Sequence, residues 1–311
     1  MIVLWIILGV VLFIVLALFF IGYLFWFKAI PKKKPDTYKG PYQSNDNVMK
    51  SYYPFKDKIV ERLKGLDMEE VWITSRDGLK LHGYFKEAQY KTNRTIISVH
   101  GYSGSAFSTA PAFSHFLVDF NYNMLFIDLR TYGMSEGKYV GYGIKDSYDV
   151  LDWVEFVKER VEDASICLFG ISLGGNTVAC ASDKVPDEVK CIIDDCGYTS
   201  AWDEFAHIIK DAYHLPTFIL YFAQIWNKIF AHYGFKDEDA RRSLSKSKCP
   251  VLFIHGSSDT FVPYSMGKEN YDACSSRKEL KTYEGIEHAR CYFENKDSYT
   301  RLVLNFLARY L

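Results

Sequence analysis

Ser165-Ile166-Cys167-Leu168-Phe169-Gly170-Ile171-Ser172-Leu173-Gly174 is the stretch whose reading decides the fold. Its first five residues form a short apolar run, as expected of a strand buried on both faces, and a helical pattern opens after Ser172. A serine at a tight strand-to-helix turn is forced into a strained conformation with its oxygen exposed. Glycines on both sides remove the clashes such a turn creates. The N-terminus of the following helix favours negative charge developing there. A G-x-S-x-G string alone is a weak signal, so the surrounding sequence has to discriminate.

Working outward, similar apolar runs recur at 95–99, 123–127, 190–193 and 250–254, with candidate helices around 107–118, 144–162 and 173–183 between them. Strands alternating with helices imply parallel crossovers and a sheet covered on both faces, an α/β architecture. Upstream, residues 71–74 and 79–85 flank Asp77-Gly78, a hairpin signal. One block breaks the rhythm. Residues 198–248 carry no buried-strand pattern but an aromatic-rich helical stretch, including Phe218-Ile219-Leu220-Tyr221-Phe222-Ala223 and Ile225-Trp226. It reads as a helical lid inserted between two strands, the alternative being ordinary core of a larger bundle. Gln224 and Asn227 interrupt it too soon for a second membrane span.

A serine hydroxyl is a poor nucleophile unless a base takes its proton, and an imidazole base needs a carboxylate to fix its tautomer and stabilise its cation. After the run ending at Ile254 comes His255-Gly256-Ser257-Ser258-Asp259, and after the strand-like 280–283 comes Gly285-Ile286-Glu287-His288. The chain order is therefore Ser172, Asp259, His288, each in a loop at one edge of the expected sheet, where such sheets gather their active sites. Asp194 and Asp195, at the end of the preceding strand, are alternative acids, and His255 is an alternative base. His255 lies at a strand end, where histidines are commonly packed or hydrogen-bonded for structure. A negatively charged tetrahedral stage needs donors already aimed at it. The backbone N–H of Leu173 is one expected donor and that of Tyr102, in His100-Gly101-Tyr102-Ser103-Gly104, the other.

Of 311 residues, 49% are apolar and 17% aromatic, enough for a sizeable core. Charge is balanced at 37 basic against 38 acidic residues without a basic stripe, so no nucleic-acid partner is expected. The seven cysteines cannot all pair and several lie in apolar runs, which favours a reducing compartment. No C-x-x-C pair, H-E-x-x-H, G-x-G-x-x-G or phosphate-loop motif occurs where one would be needed. No metal, nicotinamide or nucleotide cofactor is implied.

Residues 1–27 hold no charged side chain and, as a helix, would extend roughly 40 Å, more than a hydrocarbon core of about 30 Å requires. The uncharged start and the bulky exit Phe25-Trp26-Phe27-Lys28 differ from a cleaved signal peptide, so an uncleaved single-pass anchor in the cell membrane is expected. Lys28, Lys32, Lys33 and Lys34 then place the catalytic domain in the cytoplasm, the extracellular face being the alternative. The expected organisation is an anchor over 1–27, a linker with a short helix near 57–66 over 28–68, and a catalytic domain over 69–311.

The His100-Gly101-Tyr102 loop, the segment Asp128-Leu129-Arg130-Thr131-Tyr132-Gly133-Met134-Ser135, the elbow at 170–174 and the loops of Asp259 and His288 together resemble the α/β-hydrolase superfamily. The likeness is nearest to bacterial membrane-anchored hydrolases of the serine aminopeptidase and BEM46-like branch. It implies a mostly parallel eight-stranded sheet with helices on both faces and a lid between strands six and seven. It also implies that 128–137 packs as a turn beside the site, with Arg130, Tyr132 and Ser135 structural. The expected function is serine hydrolysis of an ester or related acyl bond through an acyl-enzyme on Ser172, with a small-molecule or lipid acyl substrate. A peptidase or acyltransferase would use the same triad, and a membrane scaffold of the same fold would have lost it.

Overall fold

The computed structural model describes residues 1–31, 58–59, 61–106 and 113–311. An eight-stranded sheet organises the chain: β1 (Glu69–Thr74), β2 (Lys80–Lys86), β3 (Arg94–Val99), β4 (Asn123–Ile127), β5 (Ser165–Ile171), β6 (Val189–Asp195), β7 (Val251–Gly256) and β8 (Lys278–Tyr283), in the order β1-β2-β4-β3-β5-β6-β7-β8. β2 pairs antiparallel with both β1 and β4. Every other neighbouring pair is parallel. The hairpin read around Asp77-Gly78 joins β1 to β2, and Gly78 takes a φ of 87° that its turn requires. This is the α/β-hydrolase fold.

The apolar runs become two-faced strands because successive side chains point to opposite sides. On β3, Ile96 packs into one hydrophobic layer and Ile97 into the other, and on β5 Cys167 and Leu168 divide likewise. One layer is closed by α2 (Asp146–Arg160), whose Trp153 is fully buried, and by α3 (Leu173–Ala181). The other is closed by a 3-10 turn at His115–Phe120 and by the last helix, with Tyr299, Val303, Phe306 and Leu307 buried. Of the helix expected at 107–118, residues 107–112 lie outside the described residues, and most of the expected linker does so too. Residues 61–64 are helical, with Leu63 buried.

Between β6 and β7 the insertion is helical, as the break in rhythm predicted: α4 (Ala201–Asp211), α5 (Ile219–Phe230) and α6 (Ala240–Leu244). The apolar side chains of this stretch divide between its two readings. Ile219, Leu220 and Ala223 are core, whereas Phe218, Tyr221, Ile225, Ile229 and Phe230 are exposed.

Helix α1 (Ile2–Ala29) is the one helix among the described residues long and apolar enough to cross a membrane. Its first sixteen or so residues are exposed, but its last turns pack on α5. A Cβ on Gly22 would come within 2.6 Å of Phe222 Cβ, so the two backbones can approach only because this residue is glycine. Trp226 donates its indole N–H to Phe19 O at 3.1 Å, and Trp26 donates to Asn227 Oδ1 at 3.1 Å. Beyond the helix, Val140 N–H donates to Ile30 O at 2.9 Å, fastening the chain to the domain.

Candidate active site

Ser172 sits between β5 and α3 with φ 55° and ψ −114°. For a residue with a side chain this is a strained backbone, costing about 1–3 kcal/mol, and it persists only where surrounding structure enforces it. Here Ser172 N–H donates to Asp195 O at 2.7 Å and Ser172 O accepts from Asn176 N–H at 3.0 Å. The flanking glycines are sterically required. A Cβ at Gly170 would lie 2.1 Å from Gly174 O, and one at Gly174 would lie 2.1 Å from Val99 O.

His288, in the loop after β8, accepts a hydrogen bond from Ser172 Oγ at Nε2 (2.9 Å) and donates from Nδ1 to Asp259 Oδ2 (2.7 Å). The carboxylate on one side sets the tautomer, leaving a lone pair facing the serine on the other. Asp259 also accepts from the backbone N–H groups of Phe261 (3.0 Å) and Val262 (2.9 Å). Burial opposes its ionisation, but the interactions with His288 and His255 outweigh this and hold its carboxyl below the ordinary aspartate range. The structure thus brings Ser172, Asp259 and His288 into one hydrogen-bonded chain.

The alternatives are engaged elsewhere. Asp195 accepts from the Tyr299 hydroxyl at 2.6 Å, and Asp194 accepts from Gly197 N–H at 2.9 Å. His255 is buried, donates to Val262 O at 3.0 Å and lies 3.4 Å from Asp259, so it steadies the carboxylate from behind. Cys196, Asp259 and His288 place three potential metal ligands within 4.8 Å of one another. Asp259 and His288 already share a proton, however, and burial keeps the Cys196 thiol protonated, which suits a relay better than a cation.

The loop after β3 runs over the serine. A Cβ on Gly101 would sit 3.4 Å from Ser172 Cβ, which places the 101–104 turn, closed by Gly104 N–H to Gly101 O, directly against it. Asp128 holds that loop in place by accepting from Ala106 N–H at 2.6 Å and Met134 N–H at 3.0 Å. His100 adds a second tie, donating to Gly101 O and accepting from Leu129 N–H. Leu173 opens α3, where a first-turn N–H has no acceptor within its own helix. Arg130 and Ser135 are structural, as expected: Arg130 clamps Asp149 at 2.6 and 2.7 Å, and Ser135 Oγ donates to Asp128 O at 2.7 Å.

Ser172 forms part of the floor of a cavity that opens to solvent. The lid contributes Phe205 and Ile208, the Asp259 loop Phe261, and α1 itself Phe25, Lys28 and Ala29. The hydroxyl of Tyr142 donates to Ala29 O at 2.9 Å, tying the helix end to this wall. Tyr102, Leu173, Tyr198, Glu204 and Tyr213 complete the lining. Apart from the expected donors Tyr102 and Leu173, and Lys28 of the lysine cluster, these wall residues carried no functional signal in the sequence. Glu204 in particular falls in the first turn of a helix, where an acidic residue is ordinarily solvated, so its burial left no local signal.

Residues 116–311 match the model of the prolyl oligopeptidase family. The chain is 26% identical over 268 residues to YqkD, an uncharacterised protein of Bacillus subtilis, covering 85% of this chain and 87% of that one. It is 30% identical over 232 residues to YfhR of Salmonella typhimurium, covering 71% and 73%. Among solved structures, an esterase from Pyrococcus furiosus superposes with a TM-score of 0.65 at 25% identity, over 79% of this chain and 93% of that one.

Proposed function

Because the chain belongs to the prolyl oligopeptidase family and is a serine hydrolase, we propose that Ser172, His288 and Asp259 act as its nucleophile, general base and orienting carboxylate on an ester of an apolar acyl group. His288 Nε2 takes the hydroxyl proton as Ser172 Oγ attacks the carbonyl carbon, and Asp259 stabilises the resulting imidazolium. The carbonyl oxygen, now negative, is received by the backbone N–H groups of Tyr102 and Leu173. His288 returns the proton to the departing alcohol, leaving the acyl group on Ser172, and water repeats the sequence to release the acid.

The single observation that carries this reading is the continuous chain Ser172 Oγ, His288, Asp259 at the base of a largely apolar cavity. A fluorophosphonate probe labels the wild-type protein at Ser172 and leaves S172A unlabelled. A folded wild type that resists the probe and hydrolyses no ester overturns the reading.

An apolar acyl substrate drawn from a membrane surface is favoured by the origin of the cavity wall. The helix that supplies Phe25 and Ala29 continues outward as an exposed apolar rod, and the exposed aromatic and aliphatic face of α5 lies beside it. Single-pass anchoring by α1, with the catalytic domain on the cytoplasmic side, accords with the lysines that follow it. Peptide-bond cleavage or acyl transfer would use the same relay, and the family match keeps the peptidase reading in view. Turnover of matched ester, thioester and amide substrates separates them, the ester being expected to react fastest.

A further inference from the structure

The wall of the cavity above Ser172 carries two polar groups without a hydrogen-bond partner among the described residues. Both carboxyl oxygens of Glu204 and the hydroxyl of Tyr198 are buried and find no hydrogen-bond partner among the described residues. Both residues line the same cavity as Ser172. Native chains retain few such groups, because each costs its desolvation without return, and two of them on residues that line one cavity call for an occupant that supplies the missing bonds.

Their neighbours indicate why the pair is not structural. Asp203, one residue before Glu204, is engaged elsewhere: its Oδ2 accepts from Thr199, Ser200 and Arg241. Glu204 turns the other way, into the cavity. Burial, reinforced by the Asp259 carboxylate, keeps its carboxyl protonated well above the ordinary glutamate range. A protonated carboxyl offers one donor and one acceptor, and a phenol can act as either.

We propose that Glu204 and Tyr198 form a specificity subsite for a neutral hydroxyl group carried by an otherwise apolar ester. The inference rests on the serine-hydrolase reading of the same cavity. A hydroxyl matches the subsite because it donates to the carboxyl carbonyl while accepting from the carboxyl O–H or the phenol. An ammonium group is disfavoured by the Lys28 side chain on the same cavity wall, and an anion by the proximity of Asp259. The hydroxyl could belong to the acyl chain or to the alcohol being released.

Two matched pairs on the full-length protein in detergent distinguish these sources. One compares p-nitrophenyl hydroxyoctanoates with p-nitrophenyl octanoate, and the other compares 1-octanoylglycerol with propyl octanoate. The wild type should favour the hydroxyl-bearing member of at least one pair by roughly 10- to 100-fold in kcat/KM, as expected when a site is built to bond a hydroxyl. In E204L that ratio falls toward one, in E204Q most of it survives because the amide still donates and accepts, and Y198F lies between. A wild-type ratio near one in both pairs overturns the proposal. So does an E204L variant that slows both members equally. Fluorophosphonate labelling of Ser172 is scored in parallel: a labelled, active enzyme without the preference refutes the subsite alone, whereas no labelling and no turnover refutes the hydrolase reading beneath it.

Discussion

Trp26→Ala and Trp5→Ala remove the same side chain from the same helix, and the structure predicts opposite consequences. Trp5 is 71% exposed on the apolar rod, whereas Trp26 is 5% exposed, lies 5.0 Å from the Phe230 ring and donates to Asn227 Oδ1. Truncating a buried aromatic of this kind costs about 3–5 kcal/mol through lost burial and the cavity left behind. It also strands Asn227 Oδ1, a fully buried acceptor whose amide nitrogen is already committed to Tyr233 O at 2.7 Å, which adds roughly 1–3 kcal/mol. The two contributions overlap, so a total of about 4–6 kcal/mol is expected. For a domain of this size that lowers the unfolding midpoint by roughly 10–20 °C. The full chain is purified in detergent, and near-ultraviolet circular dichroism and p-nitrophenyl ester hydrolysis are followed with temperature. W26A should lose both signals well below the wild type, and W5A should match the wild type closely. Coincident midpoints for the two variants would show that α1 is only a tether and refute the argument that its last turns belong to the catalytic domain.

Two further outcomes follow from the site and its surroundings. D259N should reduce kcat by about 10³–10⁴ with little change in KM, because an amide cannot hold the His288 tautomer or stabilise its cation; a loss under tenfold in steady-state assays would remove Asp259 from the relay. Asp195 is pushed up to about 6 by burial, partly offset by the Tyr299 hydroxyl, whereas in an unfolded chain it titrates near 3.9. Its folded-state pKa is raised, so the native state keeps the proton longer than the unfolded state. The stability of the wild type relative to D195N should therefore fall as pH rises through about 6, by roughly 2 kcal/mol between pH 4.5 and pH 8. Urea unfolding of both proteins at pH 4.5 and pH 8 measures this, and a pH-independent difference would rule out the buried carboxyl as its cause.

Much of this molecule is legible from local sequence. Strand cores at 95–99, 123–127, 165–169 and 250–254 all appear in the sheet, because a parallel strand covered on both faces needs an apolar run of that length whatever its neighbours are. Gly170 and Gly174 could be read around Ser172 because the elbow's steric demand falls within five residues. The order Ser172, Asp259, His288 was readable as well, since each follows a strand at the same sheet edge and strand ends can be recognised one at a time.

Long-range packing decided the rest. In the sequence the apolar run of α1 is uniform, and nothing distinguishes Trp5 from Trp26. Only a partner 201 residues away, Asn227, makes the second a buried hydrogen-bonded anchor and turns Phe25 and Ala29 into a wall of the catalytic cavity. Glu204 and Tyr198 have the same character. Their burial and their empty hydrogen bonds arise from how the lid folds over Ser172, and a side chain's solvation depends on neighbours brought together in space rather than on those adjacent in the chain.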